Sequence, residues 1–579
     1  MTENFSDLKY VRPDFDKISR VCRDLHKQLK KFTLKAEKIK LLFEQFSEEY
    51  LNFVSMYNLC SILRYIKNDN DNSIDFFAEY ELFSEKISEL QTCYNQVFAM
   101  IADLDIQFAD DALSRSSIIN EARRIALTEA KVDKDLLDRE HQLIDANRNF
   151  IKNIAINVET YEPGNFSYSD PQDPKSFDIY IEEINNWFRL ADAETRIQIY
   201  HNFSQKLLGF AEERNHDFRE LVIIRKKQAE QSNLTCFDFV TSKNKGYGYT
   251  RRQLILFKKY LQEYFLPLIE EITSLRNQRL HKEINFYYDH LKLLPESRFN
   301  LINKDVSVKN VFGETIRQII GDEGSYVDNL IRGKFWTSEP RLRRELERDV
   351  TLLPKWNSVY LSLSFSRPAF ILEDDFYSIG KALADLSAMI NFKGIACYVQ
   401  SDLVRKISGL AMVFLSSRKT ELFAGENAEL FNDLSLCYEI LKIPKAMAID
   451  TFEATVYSAE SDNDLNYANL WKQIEQNLNI NYDYGSDGYF SEGNSWQLVQ
   501  RIFDKPFSAL NRVLALIVIL AERPHRDKRN RLETKLNKLL TSNTDLPFVK
   551  RLLISGFSSP FELDTIRRAS FTVCDILRL

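Results

Sequence analysis

Histidine is scarce in this chain and badly spaced for metal chemistry. The 579 residues hold seven histidines, His26, His141, His201, His216, His281, His290 and His525, and no two stand four apart. A His-Glu-x-x-His zinc site needs two imidazoles on one helical face with a glutamate between them to polarise the bound water. That arrangement is excluded along the whole sequence. Cysteine is equally sparse. Cys22, Cys60, Cys93, Cys236, Cys397, Cys437 and Cys574 are odd in number, far apart and contain no C-x-x-C. This argues against zinc ribbons and disulfide frameworks and for a reduced, cytoplasmic protein in which each thiol is a small buried hydrophobe. Only 16 glycines and 14 prolines occur, so long helices and few tight turns are expected. No apolar run approaches the ~18 residues a membrane span needs. The longest, Val513 to Ala521, reads as a buried helix. A net charge of −7 without large blocks disfavours nucleic acid and anionic membrane as partners. The start, Met1-Thr2-Glu3-Asn4, carries no secretory signal pattern.

What is present is helical periodicity in a chain that is 44% hydrophobic and 28% charged, an ordinary globular balance. Residues 14–48 place Phe15, Ile18, Val21, Cys22, Leu25, Leu29 and Phe32 at three-and-four spacing. Similar runs cover about 74–105, 110–132 and 134–156, so residues 1–160 are expected as a bundle of long antiparallel helices. Pro163-Gly164 and Ser169 to Pro174 break the pattern, which makes 161–178 a linker. Residues 179–579 form the second domain. In it, Thr250 is expected to cap a helix running to about Phe286. Ser358 to Phe365 alternates like a strand, and Ala369 to Leu372 is a second strand candidate. The Asn-, Asp-, Ser- and Tyr-rich stretch 458–495 is expected as the longest loop.

Particular residues then carry a resemblance. Phe5-Ser6-Asp7-Leu8-Lys9-Tyr10 with Arg12-Pro13, Ser55 to Ile62, Ile224-Arg225-Lys226 through Phe237 and Phe239 to Gly248-Tyr249-Thr250, and Pro444 to Tyr457 are spread along the chain. Together they resemble the oligoendopeptidase F group of the thimet-oligopeptidase-like zinc metallopeptidases. The resemblance implies a mostly α, elongated, two-lobed fold with a central channel and a small β-sheet. It also implies where the zinc chemistry would stand. Leu403 to Ala411 is similar to the family's L-x-H-E-x-G-H-A helix: Gly409 and Ala411 match, while Lys406, Ile407 and Leu410 stand at His, Glu and His. Asn432 stands at the next ligand, a glutamate, with Ser435 and Glu439 matching nearby. Counting instead from Phe370-Ile371-Leu372 as the family's P-F-I strand puts Ser387, Ala388 and Asn391 on the zinc positions. Neither register supplies a ligand set. In the closing segments, Arg501 stands at the family's oxyanion-stabilising His, and Arg512 at its tyrosine. The glycine-rich substrate loop has no counterpart between Gly333 and Phe370.

The resemblance therefore implies a pseudopeptidase: no catalytic residues, no zinc, and a function in binding peptides or regulating an active partner protein. The alternatives are a metallo-oligopeptidase with a rebuilt site and a purely structural helical scaffold. Arg405 and Lys406 are expected as solvated helix residues, with ion pairs into a vacated cavity as the alternative. Glu429, Asp433 and Glu439 lack the imidazole or thiolate partners that a transition metal prefers. Tyr482, Tyr484 and Tyr489 line the peptide channel or else pack half-buried with wet hydroxyls. Trp496 and Phe507 fit core positions. The basic run Arg523 to Arg531 is a solvated loop or a docking patch for an acidic partner.

Overall fold

The structure, a computed structural model, describes residues 4–579 except 31–35, 67–73, 103, 105–111, 160–175, 182–183, 244–247, 281–285, 291–329, 338–349, 364–369, 393, 399–400, 422–424, 461–464, 487, 523–530 and 543–545. Helices dominate, as the periodicity predicts. The first four are α1 (Phe15–Leu29), α2 (Ala36–Leu63), α3 (Phe76–Ile101) and α4 (Ala112–Leu127). Asp14 and Asp75 cap α1 and α3 by accepting backbone N–H groups of the first turn. The single helix expected over 14–48 is two, because α1 ends at Leu29. On the facing sides of α2 and α3, Phe43, Phe46, Tyr50, Tyr94 and Phe98 stack with centroids 4.3 to 6.5 Å apart. Each such side chain contributes roughly 1.5–3 kcal/mol by leaving water.

Next come α5 (Lys134–Asn153) and an antiparallel pair, β1 (Ala155–Glu159) with β2 (Ser176–Tyr180). The last residues of the expected linker thus belong to a paired strand; 160–175 lie outside the described residues. The chain continues through α6 (Ile184–Leu190), α7 (Ala193–Leu208), α8 (Ala211–Gln231), α9 (Cys236–Lys243), α10 (Arg251–Tyr264) and α11 (Leu266–Leu280). Thr250 does cap α10, in a reciprocal capping box with Gln253. The helix does not run on unbroken: Pro267 has no N–H to donate, and α10 and α11 divide at Phe265.

A three-stranded sheet follows in the order β3 (Trp336–Thr337), β5 (Ser358–Ser362), β4 (Val350–Leu353), with β5 parallel to β3 and antiparallel to β4. All five residues of β5 are buried, as a central strand requires. Asn58 Nδ2 donates to Leu352 O at 2.8 Å, and Lys355 N donates to Ser55 Oγ at 2.9 Å, so α2 grips the β4–β5 hairpin. The second strand candidate is overturned. Phe370 to Leu372 open helix α12 (Phe370–Asn391), whose apolar residues recur at helical spacing.

The remaining helices are α13 (Asp402–Ser416), α14 (Ala428–Leu441), α15 (Ile443–Ser458), α16 (Tyr467–Asn477), α17 (Gly488–Ser491), α18 (Gln500–Asp504), α19 (Asn511–Glu522), α20 (Arg531–Leu540), α21 (Phe548–Ile554) and α22 (Leu563–Leu577). The loop expected over 458–495 instead contains α16, capped by Asn466 and anchored by the fully buried Trp471. Val513 to Ala521 is buried in α19, as expected. Among the described residues no helix is long and apolar enough to cross a membrane.

Two large cores result. One joins α1–α4 to the sheet and one side of α12; the other joins α5, α8–α11, α13–α16 and α18–α22. A smaller third core holds β1, β2, α6, α7 and Tyr489-Phe490. Helix α12 serves both large cores: Phe376, Ile379 and Leu383 face the first, Tyr377 and Ala384 the second. It lies against α13, which serves the second core with all but Met412. This seam positions the candidate site.

Candidate functional site

Helices α12 and α13 touch backbone to backbone. A Cβ on Gly380 would lie 2.3 Å from Ser408 O and 2.5 Å from Gly409 Cα; a Cβ on Gly409 would lie 2.6 Å from the Tyr377 ring. Ser408 Oγ donates to Gly380 O at 2.5 Å. Only glycine permits this approach. The glycine that carries the resemblance on α13 is thus explained by packing.

The seam is lined by charge. Arg405 of α13 reaches Asp385 of α12 at 3.0 Å. One turn earlier, Asp402 pairs with Lys406 and accepts from Asn511 Nδ2 at 3.4 Å, and Tyr249 OH donates to Asn511 Oδ1 at 2.6 Å. Glu439 of α14 accepts two bonds from Arg512 of α19, at 2.9 and 2.7 Å, and a third from Lys442 at 2.6 Å. The Arg512 guanidinium lies 4.1 Å from the Tyr377 ring centre, and Lys381 Nζ lies 5.0 Å from it. Burial pushes the Asp402 carboxyl up, but Lys406, Arg405 and Lys505 outweigh it and bring it to about 2. Burial pulls the Lys406 ammonium down to about 8, with Asp402 opposing and Arg501 and Lys505 adding to the fall. For Glu439, burial is again overcome, by Arg512 and Lys442, and its carboxyl sits well below the usual range.

The expectation that Arg405 and Lys406 are solvated is corrected. Lys406 keeps 17% of its side-chain exposure and Arg405 30%, and each holds a carboxylate. Ile407 and Leu410 are fully buried in the second core. Asn432 does not join them. It donates to Ser417 O and accepts from Thr420, at the far end of α13, eleven residues or about 16 Å along the axis from Lys406. In the other register, Ala388 is packed in the first core, and Asn391 Nδ2 donates back to Ser387 O at 2.8 Å. An ammonium cannot donate a lone pair, hydrocarbon side chains offer none, and the one amide oxygen at the first register, Asn432 Oδ1, already accepts from Thr420 and is a poor zinc ligand. The residues at either register do not fit zinc. Among the described residues no three of His, Cys, Asp and Glu are grouped so as to hold a metal.

Arg501 is exposed on α18, whereas Arg512 is the partner of Glu439. Tyr484 and Tyr489 do not present wet hydroxyls. Tyr484 OH donates to Glu475 at 3.0 Å, and Tyr489, 1% exposed, donates to Gln497 Oε1 at 3.2 Å. Tyr482 is half-buried, its ring 4.6 Å from that of His290. Trp496 and Phe507 are core residues, as expected. The basic run lies outside the described residues except Arg531.

Sequence reasoning missed a second buried acid. Glu453, fully buried on α15, accepts the Phe507 N–H at 2.8 Å with Oε2, and no described residue bonds its Oε1. Burial, then Asp450 one turn away, pushes its carboxyl well above the usual range. Asp450 itself is held by Lys258 at 2.6 Å and Arg251 at 3.2 Å. The bond to Glu453 fixes Phe507 in a left-handed backbone conformation, φ 61°, within the segment compared above with an oxyanion loop.

No family model matches the chain, and no curated protein matches it by sequence. Solved structures do. An oligoendopeptidase F structure superposes with a TM-score of 0.80 at 15% identity, over 99% of this chain and 98% of that one. PZ peptidase A, in complex with an inhibitor, gives 0.82 at 15% identity over 99% of each chain. An oligoendopeptidase F from Bacillus anthracis gives 0.76 at 14%, over 100% and 98%. The chain has the oligoendopeptidase F fold. The mostly α architecture with a small sheet follows the resemblance, and the match spans the full length. At these identities the likeness establishes fold alone, so chemistry rests on the residues of this chain.

Proposed function

We propose that this protein is a catalytically inactive oligoendopeptidase F-like protein that binds peptides, or an active partner protein, without cutting. One observation carries the reading: at the positions the resemblance assigns to metal ligands, the chain has Lys406 ion-paired to Asp402, the core residue Leu410 and the amide Asn432, with the core residue Ile407 at the water-polarising glutamate, and no His-x-x-x-His exists anywhere in it. In the seam the carboxylates of Asp385, Asp402 and Glu439 are each held by a lysine or arginine, and those cations, together with the lack of imidazole, oppose a divalent cation there. On this reading zinc is absent from the purified protein, catalytic residues are none, and Tyr482, partly exposed beside His290, is the aromatic left to contact a peptide.

A second reading, a peptidase with a rebuilt site, is favoured by Glu453, a buried acid with one oxygen unbonded among the described residues. The neighbours named as peptidases fit it equally. The deciding experiment combines metal analysis by mass spectrometry, a quenched fluorescent peptide library with and without added Zn²⁺, and calorimetry with the same peptides. Binding without cleavage and without stoichiometric metal supports the proposal. Cleavage that is lost in E453Q overturns it in favour of the second reading. Neither binding nor cleavage leaves the scaffold reading standing for peptides, and binding of a related active peptidase then tests the partner role.

A further inference from the structure

We propose that Cys22 and Cys93 form a redox modification site: a thiol pair that a hydroperoxide converts to a reversible disulfide joining α1 to α3. Helices α1 and α3 run parallel, each antiparallel to α2, and their relative register is fixed. Phe15 meets Phe83 with ring centres 5.5 Å apart, and Ser19 Oγ donates to Glu89 Oε1 at 3.0 Å. The next turn of each helix sets Cys22 beside Cys93 across the interface, close enough for each thiol to bear on the other's ionisation. Both sit on long helices seated in the same core, so neither sulfur drifts from the other. Cys60, by contrast, donates its thiol to the backbone oxygen of Phe76.

The pair is asymmetric in access. Cys93 is half-buried and Cys22 is 2% exposed, so an oxidant meets Cys93 first. The neighbouring Cys22 thiol holds the Cys93 thiol below its ordinary range against burial and Glu89, with Arg23 helping. The thiolate is the reactive form. Cys93 thiolate attacks the peroxide O–O bond, which breaks; with one proton taken up, this gives a sulfenic acid and water, sulfur being oxidised and peroxide reduced. The Cys22 sulfur then attacks the sulfenic sulfur, the S–O bond breaks, and the Cys22 proton leaves with the hydroxyl as a second water. The buried partner, which the sequence reading treated only as a small hydrophobe, is the resolving thiol.

The test uses the full chain treated with about a tenfold excess of hydrogen peroxide, alkylated in denaturant and mapped by mass spectrometry without reduction. The expected product is one cross-link between the Cys22 and Cys93 peptides, with the intact mass lower by two hydrogens and restored by dithiothreitol. C22S is expected to lose the cross-link and drive Cys93 to the sulfinic acid, heavier by two oxygens. Recovery of both cysteines as alkylated thiols from the wild type, cross-links to other cysteines, or sulfinic Cys93 in the wild type overturns the proposal. The wild-type map decides it even where a variant folds poorly.

Discussion

Replacing Arg512 with methionine isolates the energetics of the seam. The guanidinium gives Glu439 two charge-assisted bonds and lies over Tyr377, while Met keeps most of the stem volume. Glu439 is 7% exposed, so removing Arg512 leaves a carboxylate away from water. Breaking a buried pair in this way costs about 3–5 kcal/mol. Lys442 remains at 2.6 Å and is 32% exposed, so part of the charge stays neutralised. The stacking over Tyr377 adds on the order of 1 kcal/mol to the loss. The expected destabilisation of R512M is therefore about 3 kcal/mol at neutral pH. The pH dependence has a definite sign. The Glu439 carboxyl lies below the usual range in the folded state, so its stabilisation is fully present above the unfolded carboxylate pKa and is lost progressively as pH falls from there through the lower folded one. In R512M that carboxyl protonates sooner, and the gap from wild type narrows on acidification. E439Q/R512M, which removes the stranded charge, is expected to recover at least ~1 kcal/mol of the single-variant loss. Urea unfolding at neutral and acidic pH measures the gap, and hydrogen exchange of the α14 and α19 amides reports the same core locally. A loss within ~0.5 kcal/mol, or a double variant less stable than R512M, refutes the claim that the seam is a buried, mutually dependent charge network.

Gly380→Ala forces a Cβ onto the Ser408 carbonyl, a backbone atom that cannot swing aside, and is expected to cost at least ~2 kcal/mol, seen as a lowered melting temperature. Gly209→Ala, where the nearest atom is at 3.8 Å and the backbone is right-handed, is the matched control and is expected to be neutral or slightly stabilising. Lys406 is held at about 8 when folded against an ordinary 10.5, so the unfolded chain binds more protons between these values and stability gains as pH rises through them. Wild type is expected to gain up to about 3 kcal/mol on K406M over that interval, and parallel denaturation curves at each pH refute it. For Glu453 the sign is opposite: its carboxyl is raised when folded, so stability falls as pH rises above the ordinary carboxylate range. E453Q is expected to gain on wild type from pH 5 to 8, measured by the same denaturation series.

Helices with clean three-and-four spacing were legible in the sequence: α1, α3 and α5 start within two residues of the runs read from 14, 74 and 134, and α10 starts directly after the expected cap Thr250. Two misreadings share a cause. Phe370 to Leu372 and the polar stretch around α16 have local compositions that fit strand or loop, and long-range burial decided otherwise, through the packing of Phe376, Ile379 and Leu383 further along α12 into the first core and of Trp471 in α16. The site was half legible. Asp402 with Lys406, and Glu439 with Lys442, are helix-spaced pairs that charge patterning can find. Arg405 with Asp385, and Arg512 with Glu439, join residues 20 and 73 positions apart. No local rule announces them, and surface base rates pointed the wrong way.

The geometry of α12 and α13 also shows why a motif comparison in one dimension left two registers open. A residue on these helices can serve the seam only if it faces the partner helix. On α12 those positions include Tyr377, Lys381 and Asp385, spaced by four; on α13 they include Asp402, Arg405, Lys406 and Gly409, spaced by three and four. Ile407 and Leu410 fall on the opposite, core-facing side, where a polar ligand would open the second core and cost several kcal/mol without reaching the seam. Ala388 fails likewise against the first core. Any attempt to build a metal site into this fold therefore has to use seam-facing positions, where Asp385 and Asp402 already offer carboxylate oxygens, and first has to remove Arg405 and Lys406, whose charges oppose a cation. The same charges that stabilise the seam are a barrier to metal chemistry in it.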